Sequence, residues 1–101
     1  MSLEITTRVD GDVLTLACEG RLETSTAAIF QKALDVVPGE TKTLILDFAK
    51  LDYTSSAGLR CLLIAYKNQA ARGGSLKLVN VCDSVKEVLD MTGFSDILEI
   101  E

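Results

Sequence analysis

Three consecutive hydroxyl side chains, Thr54, Ser55 and Ser56, stand directly before Ala57-Gly58 and an apolar periodic run that begins at Leu59. Hydroxyls placed there have two roles open to them. Ser and Thr favour helix N-caps, where a side-chain oxygen accepts a hydrogen bond from an unpaired first-turn N–H. One hydroxyl suffices for that, and Ser55 or Thr54 can supply it. The surplus, beside two small residues that leave the approach uncrowded, forms a surface another molecule can reach. Capping and contact are both open at this point.

Nucleophile chemistry fits the stretch poorly. Ser56-Ala57-Gly58 matches the second half of a G-x-S-x-G elbow, but Thr54 holds the place of the first glycine. The chain has no histidine, so a Ser-His-Asp or Cys-His system has no base and a transition metal lacks its commonest ligand. Gly73-Gly74 ends a helix and is not followed by Lys-Ser/Thr, unlike a phosphate-binding P-loop. Gly11 and Gly20 are too isolated for a dinucleotide fingerprint. Asp47 and Asp52 flank the expected junction of the third strand and second helix, where open α/β sheets hold ligands. A weak cation site is conceivable there. Solvated turn carboxylates, with Asp52 near the positive helix end, are the simpler account. Cys18, Cys61 and Cys82 are odd in number, widely spaced and set in apolar segments, which predicts buried free thiols. No catalytic residue, cofactor or metal site is expected.

Composition narrows the partner. The formal charge is −5, with 15 acidic against 10 basic residues, which disfavours nucleic acid, whose binding rests on Lys and Arg neutralising phosphates. A protein partner is favoured, and a monomer is the default. With 48% hydrophobic residues in 101, the chain reads as a single folded domain over 1–101, burying roughly 60–70% of its unfolded surface. No apolar run approaches the ~20 residues of a membrane span, and "MSLEITTRVD" has no basic n-region before an apolar core. A cytoplasmic protein is expected.

The elements that must position the hydroxyls follow from periodicity. Leu3, Ile5, Thr7 and Val9 share one face at period two, and after Asp10-Gly11-Asp12 so do Leu14, Leu16 and Cys18. This predicts an antiparallel hairpin ended by Gly20. A helix capped by Thr24 or Ser25 carries Ala27, Phe30, Leu34 and Val37 on one face and stops at Pro38-Gly39. Thr43–Phe48 is a continuous apolar run, as expected of a strand buried on both faces. The second helix aligns Leu59, Leu62, Leu63, Tyr66 and Ala70 and ends at Gly73-Gly74 in a left-handed cap. "SLKLVNV" is a strand, "DSVKEVLDMTG" a helix with Ser84 and Glu87 at capping-box spacing, and "DILEI" a last strand. The order β-β-α-β-α-β-α-β predicts an α/β domain with helices packed on a mixed central sheet.

On these residues the chain resembles bacterial anti-sigma factor antagonists, the single-domain STAS proteins. "LDYTSSAGLRCLL" looks like that family's D/S-S-x-G-L signature, which follows the third strand and opens the second helix. "CEGRLETSTA" resembles its G-x-L-D-x-x-T/S loop, and "VKEVLDMTGFSDILEI" its C-terminal helix and strand. The resemblance implies a STAS-like fold, no enzymatic activity and a partner switch. In such a switch the antagonist binds an anti-sigma factor that is also a serine kinase, freeing the sigma factor. Phosphorylation abolishes binding, and a serine phosphatase restores it. Counting back from Gly58, Ser56 matches the family's phosphoacceptor. Ser55 stands where many members have Asp, and Glu23 where the upstream loop usually has Asp. The contact surface so implied comprises Gly20, Glu23, Thr24, Ser25, Tyr53, Thr54, Ser55, Ser56 and Arg60. The alternative is a STAS subunit of a transporter or stressosome-type assembly that serves as a scaffold without a phosphate cycle.

Overall fold

Alternation along the strands decides the architecture. The computed structural model describes residues 3–101. In it Leu14, Leu16 and Cys18 of β2 (Val13–Leu22), Leu44, Leu46 and Phe48 of β3 (Thr43–Thr54), and Leu76 and Leu78 of β4 (Ser75–Val79) are all buried. Register sets them in rows across the sheet, Leu14 beside Leu44 beside Leu76, and Leu16 beside Leu46 beside Leu78. Each such leucine contributes about 1.5–3 kcal/mol on leaving water.

The sheet order is β1-β2-β3-β4-β5, with β1 (Leu3–Asp10) antiparallel to β2 and each later pair, down to β5 (Glu99–Ile100), parallel. Strand order therefore follows chain order, and three right-handed crossovers return on the same side. This places α1 (Ala27–Asp35), α2 (Ser56–Ala71) and α3 (Asp83–Met91) in one layer over one face. Phe30 and Leu34, Leu59, Leu62 and Ala65, and Val85 and Leu89 join the sheet leucines in one core cluster. The expected element order is present, with a 3-10 turn (Phe94–Asp96) added before β5.

Several details differ from the sequence reading. β3 is twice the expected length and alternates, because helices cover one face only: Ile45 and Asp47 point to the open side and are half-buried. Asp47 is therefore a mid-strand residue, not a junction carboxylate, and it accepts hydrogen bonds from the Ala49 N–H (3.0 Å) and Asn80 Nδ2 (3.1 Å). β2 does not end at Gly20 but continues to Leu22. Thr7 and Val9 lie on the core side of β1 but are exposed at the sheet edge, past the helical cover. Ala70 is exposed, and Gln69 takes the buried place in the last turns of α2. The N-cap of α3 is Cys82; Ser84 lies inside the helix and donates from its hydroxyl to the Asp52 carbonyl (3.2 Å), so no capping box forms. The segment "DILEI" is strand only over Glu99–Ile100.

The C-terminal end of α2 has its own clasp. Gly73 adopts a left-handed φ of 77°, and the Gly74 N–H donates back to the Gln69 carbonyl (2.8 Å), completing the expected glycine cap. The Gln69 side chain, 1% exposed, donates from Nε2 to the Ser75 carbonyl (3.1 Å) and accepts at Oε1 from Arg72 (2.9 Å). A Gln69→Leu variant removes both bonds and the tie they make between the end of α2 and the start of β4. It is expected to lower the unfolding free energy by about 1–3 kcal/mol in urea titrations, and an unchanged midpoint would show that the clasp contributes nothing.

The three thiols are free, as expected, but not equally buried. Cys18 is pushed up to about 12 by burial and, secondarily, by the Asp47 charge, and burial raises Cys61 as well. Cys82 is half-exposed, and the Ser84 hydroxyl, 3.4 Å away, followed by the backbone N–H groups of Val85 and Ser84, lowers its pKa. A lowered pKa gives more thiolate at a given pH. Iodoacetamide at pH 8 should therefore alkylate Cys82 first and Cys18 only after unfolding, an order that peptide mass spectrometry reads directly.

Candidate functional site

The hydroxyl cluster sits where two strands hand over to two helices. β2 and β3 reach it together through two register shifts, between Ala17 and Glu19 and between Gly20 and Arg21, each adding one residue on β3. Their last pair is Leu22 beside Thr54, both buried. The Ser55 N–H then donates to the Leu22 carbonyl (2.8 Å), and the Ser55 carbonyl accepts the first helical bond, from Leu59 N–H (3.1 Å). The first turn of α2 is thus tied to the strand ends by backbone bonds.

Gly58 makes that closeness possible. A Cβ on it would lie 2.5 Å from both Leu22 Cγ and Thr54 Oγ1, far inside van der Waals contact. Only a residue without a side chain lets α2 press onto the strands at this point.

The three hydroxyls separate into distinct environments. Thr54 is 2% exposed, which removes it from the contact surface the resemblance implied, and its hydroxyl donates weakly to the Ser55 carbonyl (3.3 Å). Ser55 occupies the N-cap position with extended backbone but makes no side-chain cap bond. Its Oγ is buried without a hydrogen-bond partner among the described residues. Neither residue therefore provides the expected cap. Ser56, the first residue of the helix, is exposed. Arg60, one turn on, is exposed as well.

The neighbouring loop is fixed by a residue the sequence reading passed over. Thr26, not Thr24 or Ser25, holds the N-cap position of α1, yet its hydroxyl turns backwards. It accepts from the Glu23 N–H (3.0 Å) and donates to the Arg21 carbonyl (2.8 Å). The Glu23 carbonyl in turn accepts from the N–H groups of Thr26 and Ala27. This tight turn leaves Thr24 and Ser25 exposed at its tip, with Gly20 and Glu23 half-buried below. Thr26 stands beside two other hydroxyls, so type alone could not single it out.

Arg21 was also missed. Its guanidinium lies over the Tyr53 ring, 4.4 Å from the centroid, and 3.7 Å from the Glu23 carboxylate. The contact depends on strand register, which places Arg21 beside Tyr53. Such a stack contributes roughly 0.5–1 kcal/mol at an exposed position, and the ion pair less than that. Together they hold Tyr53 and Glu23 in place.

No three His, Cys, Asp or Glu side chains cluster as metal ligands among the described residues. A cleft of about 240 Å³, lined by Thr6, Ala17, Glu19, Asp47 and Lys50, lies on the open sheet face. The loop tip at Thr24-Ser25, the Arg21–Tyr53 stack and the first turn of α2 lie at the same end of the β2–β3 pair. Gly58→Ala should disturb it from beneath, lowering stability by about 1–3 kcal/mol through overpacking; an unchanged melting temperature would show that the contact relaxes freely.

The fold recurs among known proteins. The STAS domain family's sequence profile matches residues 4–101. An anti-sigma-B factor antagonist of Listeria monocytogenes is 31% identical over 102 residues, covering 100% of this chain and 89% of the relative. The crystal structure of an anti-sigma factor antagonist from Mycobacterium paratuberculosis superposes with a TM-score of 0.87 at 17% identity, covering 97% of this chain and 84% of that one. Unphosphorylated SpoIIAA, also an anti-sigma factor antagonist, superposes with a TM-score of 0.76 at 17% identity over 97% of this chain and 87% of its own. With a matching profile over nearly its whole length, and the same fold, this chain belongs to the STAS domain family.

Proposed function

We propose that this chain is an anti-sigma factor antagonist acting by partner switching, with Ser56 as its switch. In the unmodified state the chain binds an anti-sigma factor that is also a serine kinase, and the sigma factor is released. The contact is made by Glu23, Thr24 and Ser25 of the loop with Tyr53, Ser56 and Arg60. Phosphorylation of Ser56 ends the contact, and a serine phosphatase restores it. One observation carries the choice of residue: of the three hydroxyls, only that of Ser56 belongs to an exposed residue, while Ser55 Oγ and Thr54 are enclosed. A kinase must reach its acceptor oxygen, and a buried one is out of reach.

The physics of the switch follows from the helix start. A phosphate adds about −1.5 to −2 charges. Facing the free N–H groups and positive end of α2, that charge is well placed within the domain, so the fold persists. A close contact built around a neutral serine cannot take in a hydrated dianion, and binding is lost at the partner surface. A loss of ~3–4 kcal/mol weakens affinity by a factor of several hundred.

Incubation with the serine kinases of the source organism and ATP, followed by phosphosite mapping, should place phosphate on Ser56. Phosphate on Ser55 alone, or no modification and no kinase binding, overturns the assignment. In parallel, Ser56→Asp should weaken anti-sigma factor binding by two orders of magnitude or more in calorimetry, with circular dichroism and melting almost unchanged, while Ser56→Ala retains binding. Binding that ignores both substitutions points instead to a scaffold subunit.

A further inference from the structure

Helix α2 carries Arg60 and Lys67 and no acidic residue, although the chain as a whole has a charge of −5. The Arg60 side chain makes no ion pair among the described residues. Arg21, the other arginine near this end of the sheet, is already engaged by Tyr53 and Glu23. Ser56 and Arg60 are four residues apart, so their side chains rise one turn apart from the same exposed strip. Gly58, Leu59 and Leu62 face the core, which fixes the rotation of the helix and keeps that strip outward.

This arrangement has a chemical direction. An anion N-terminal to a cation at i,i+4 is the favourable order on a helix. The planar guanidinium fork can hold two phosphate oxygens at once. We infer that Arg60 is the internal counter-ion of a phosphate on Ser56, closing over it on the surface of α2. The inference rests on Ser56 being the modified residue. Its consequence is a double change at the docking face: the partner meets a new anion and simultaneously loses access to Arg60.

The test needs no kinase. Phosphoserine is placed at position 56 of the full chain by expanded-code translation, and the phosphate is titrated by ³¹P NMR in the otherwise native chain and with Arg60→Ala, Arg60→Lys or Lys67→Ala. The second phosphate pKa should be lower with Arg60 present than with Arg60→Ala by about 0.3 unit or more. Arg60→Lys should recover part of the shift, and Lys67→Ala, three turns away, should leave it intact. Because Arg60 is exposed, the unmodified Arg60→Ala chain should melt with the native one. Coincident titrations with and without Arg60 overturn the inference and leave the switch at Ser56 standing. A kinase that ignores Ser56 overturns the switch without altering this titration.

Discussion

The constraint on which the candidate site depends is the close approach of Gly58 to Leu22 and Thr54. Two strands end, a helix begins, and the first turn of that helix rests directly on the last paired residues of both strands. Everything at the candidate site inherits its position from this junction. The Ser55 N–H bond to Leu22 fixes where the helix starts, and the buried side of α2, from Leu59 through Leu62 to Ala65, fixes its rotation. Ser56 is then held outward by packing that involves none of its own atoms. A site built this way is preorganised: it needs no cap bond from its own hydroxyl, and that hydroxyl is left unspent.

Electrostatics add a second layer to the same geometry. The domain is acidic, yet the exposed strip of α2 is cationic and the helix start presents unpaired N–H groups. Negative charge brought to Ser56 meets a local field opposite in sign to that of the whole protein.

Much of this was legible in the sequence, for reasons that can be named. Leucines at period two in β2, β3 and β4 and at helical spacing in α2 are strong signals, because each reports on a face that must be buried. The Gly73-Gly74 stop was equally plain. What could not be read were features set by contact across the sheet. β3 extends six residues beyond the apolar run because register shifts, which leave Asp52 unpaired, carry Lys50, Leu51, Tyr53 and Thr54 into the ladder. Thr26 has the same chemistry as Thr24 and Ser25, and only the fold of the turn selects it. The capping assignments failed for a related reason. Backbone bonds to Leu22 and Glu23 already hold the strand-to-helix turns, so the hydroxyls were free to be buried, turned back or exposed. Arg21 over Tyr53 is a register effect, invisible along a single strand.

The strand order has a consequence for how the molecule comes into being. Each strand pairs with the one synthesised just before it, from β1 through β5. No strand has to wait for a distant segment, or be inserted between two already in place. Such a topology limits every pairing to one hairpin or one helical crossover, which bounds its loop-closure cost. On a ribosome the sheet can grow by addition at one edge, with every emerging leucine row completed against its predecessor. The backbone bonds of the Ser56 junction join only β2, β3 and α2, all within the first 71 residues. Its geometry therefore closes without waiting for the segments that follow α2.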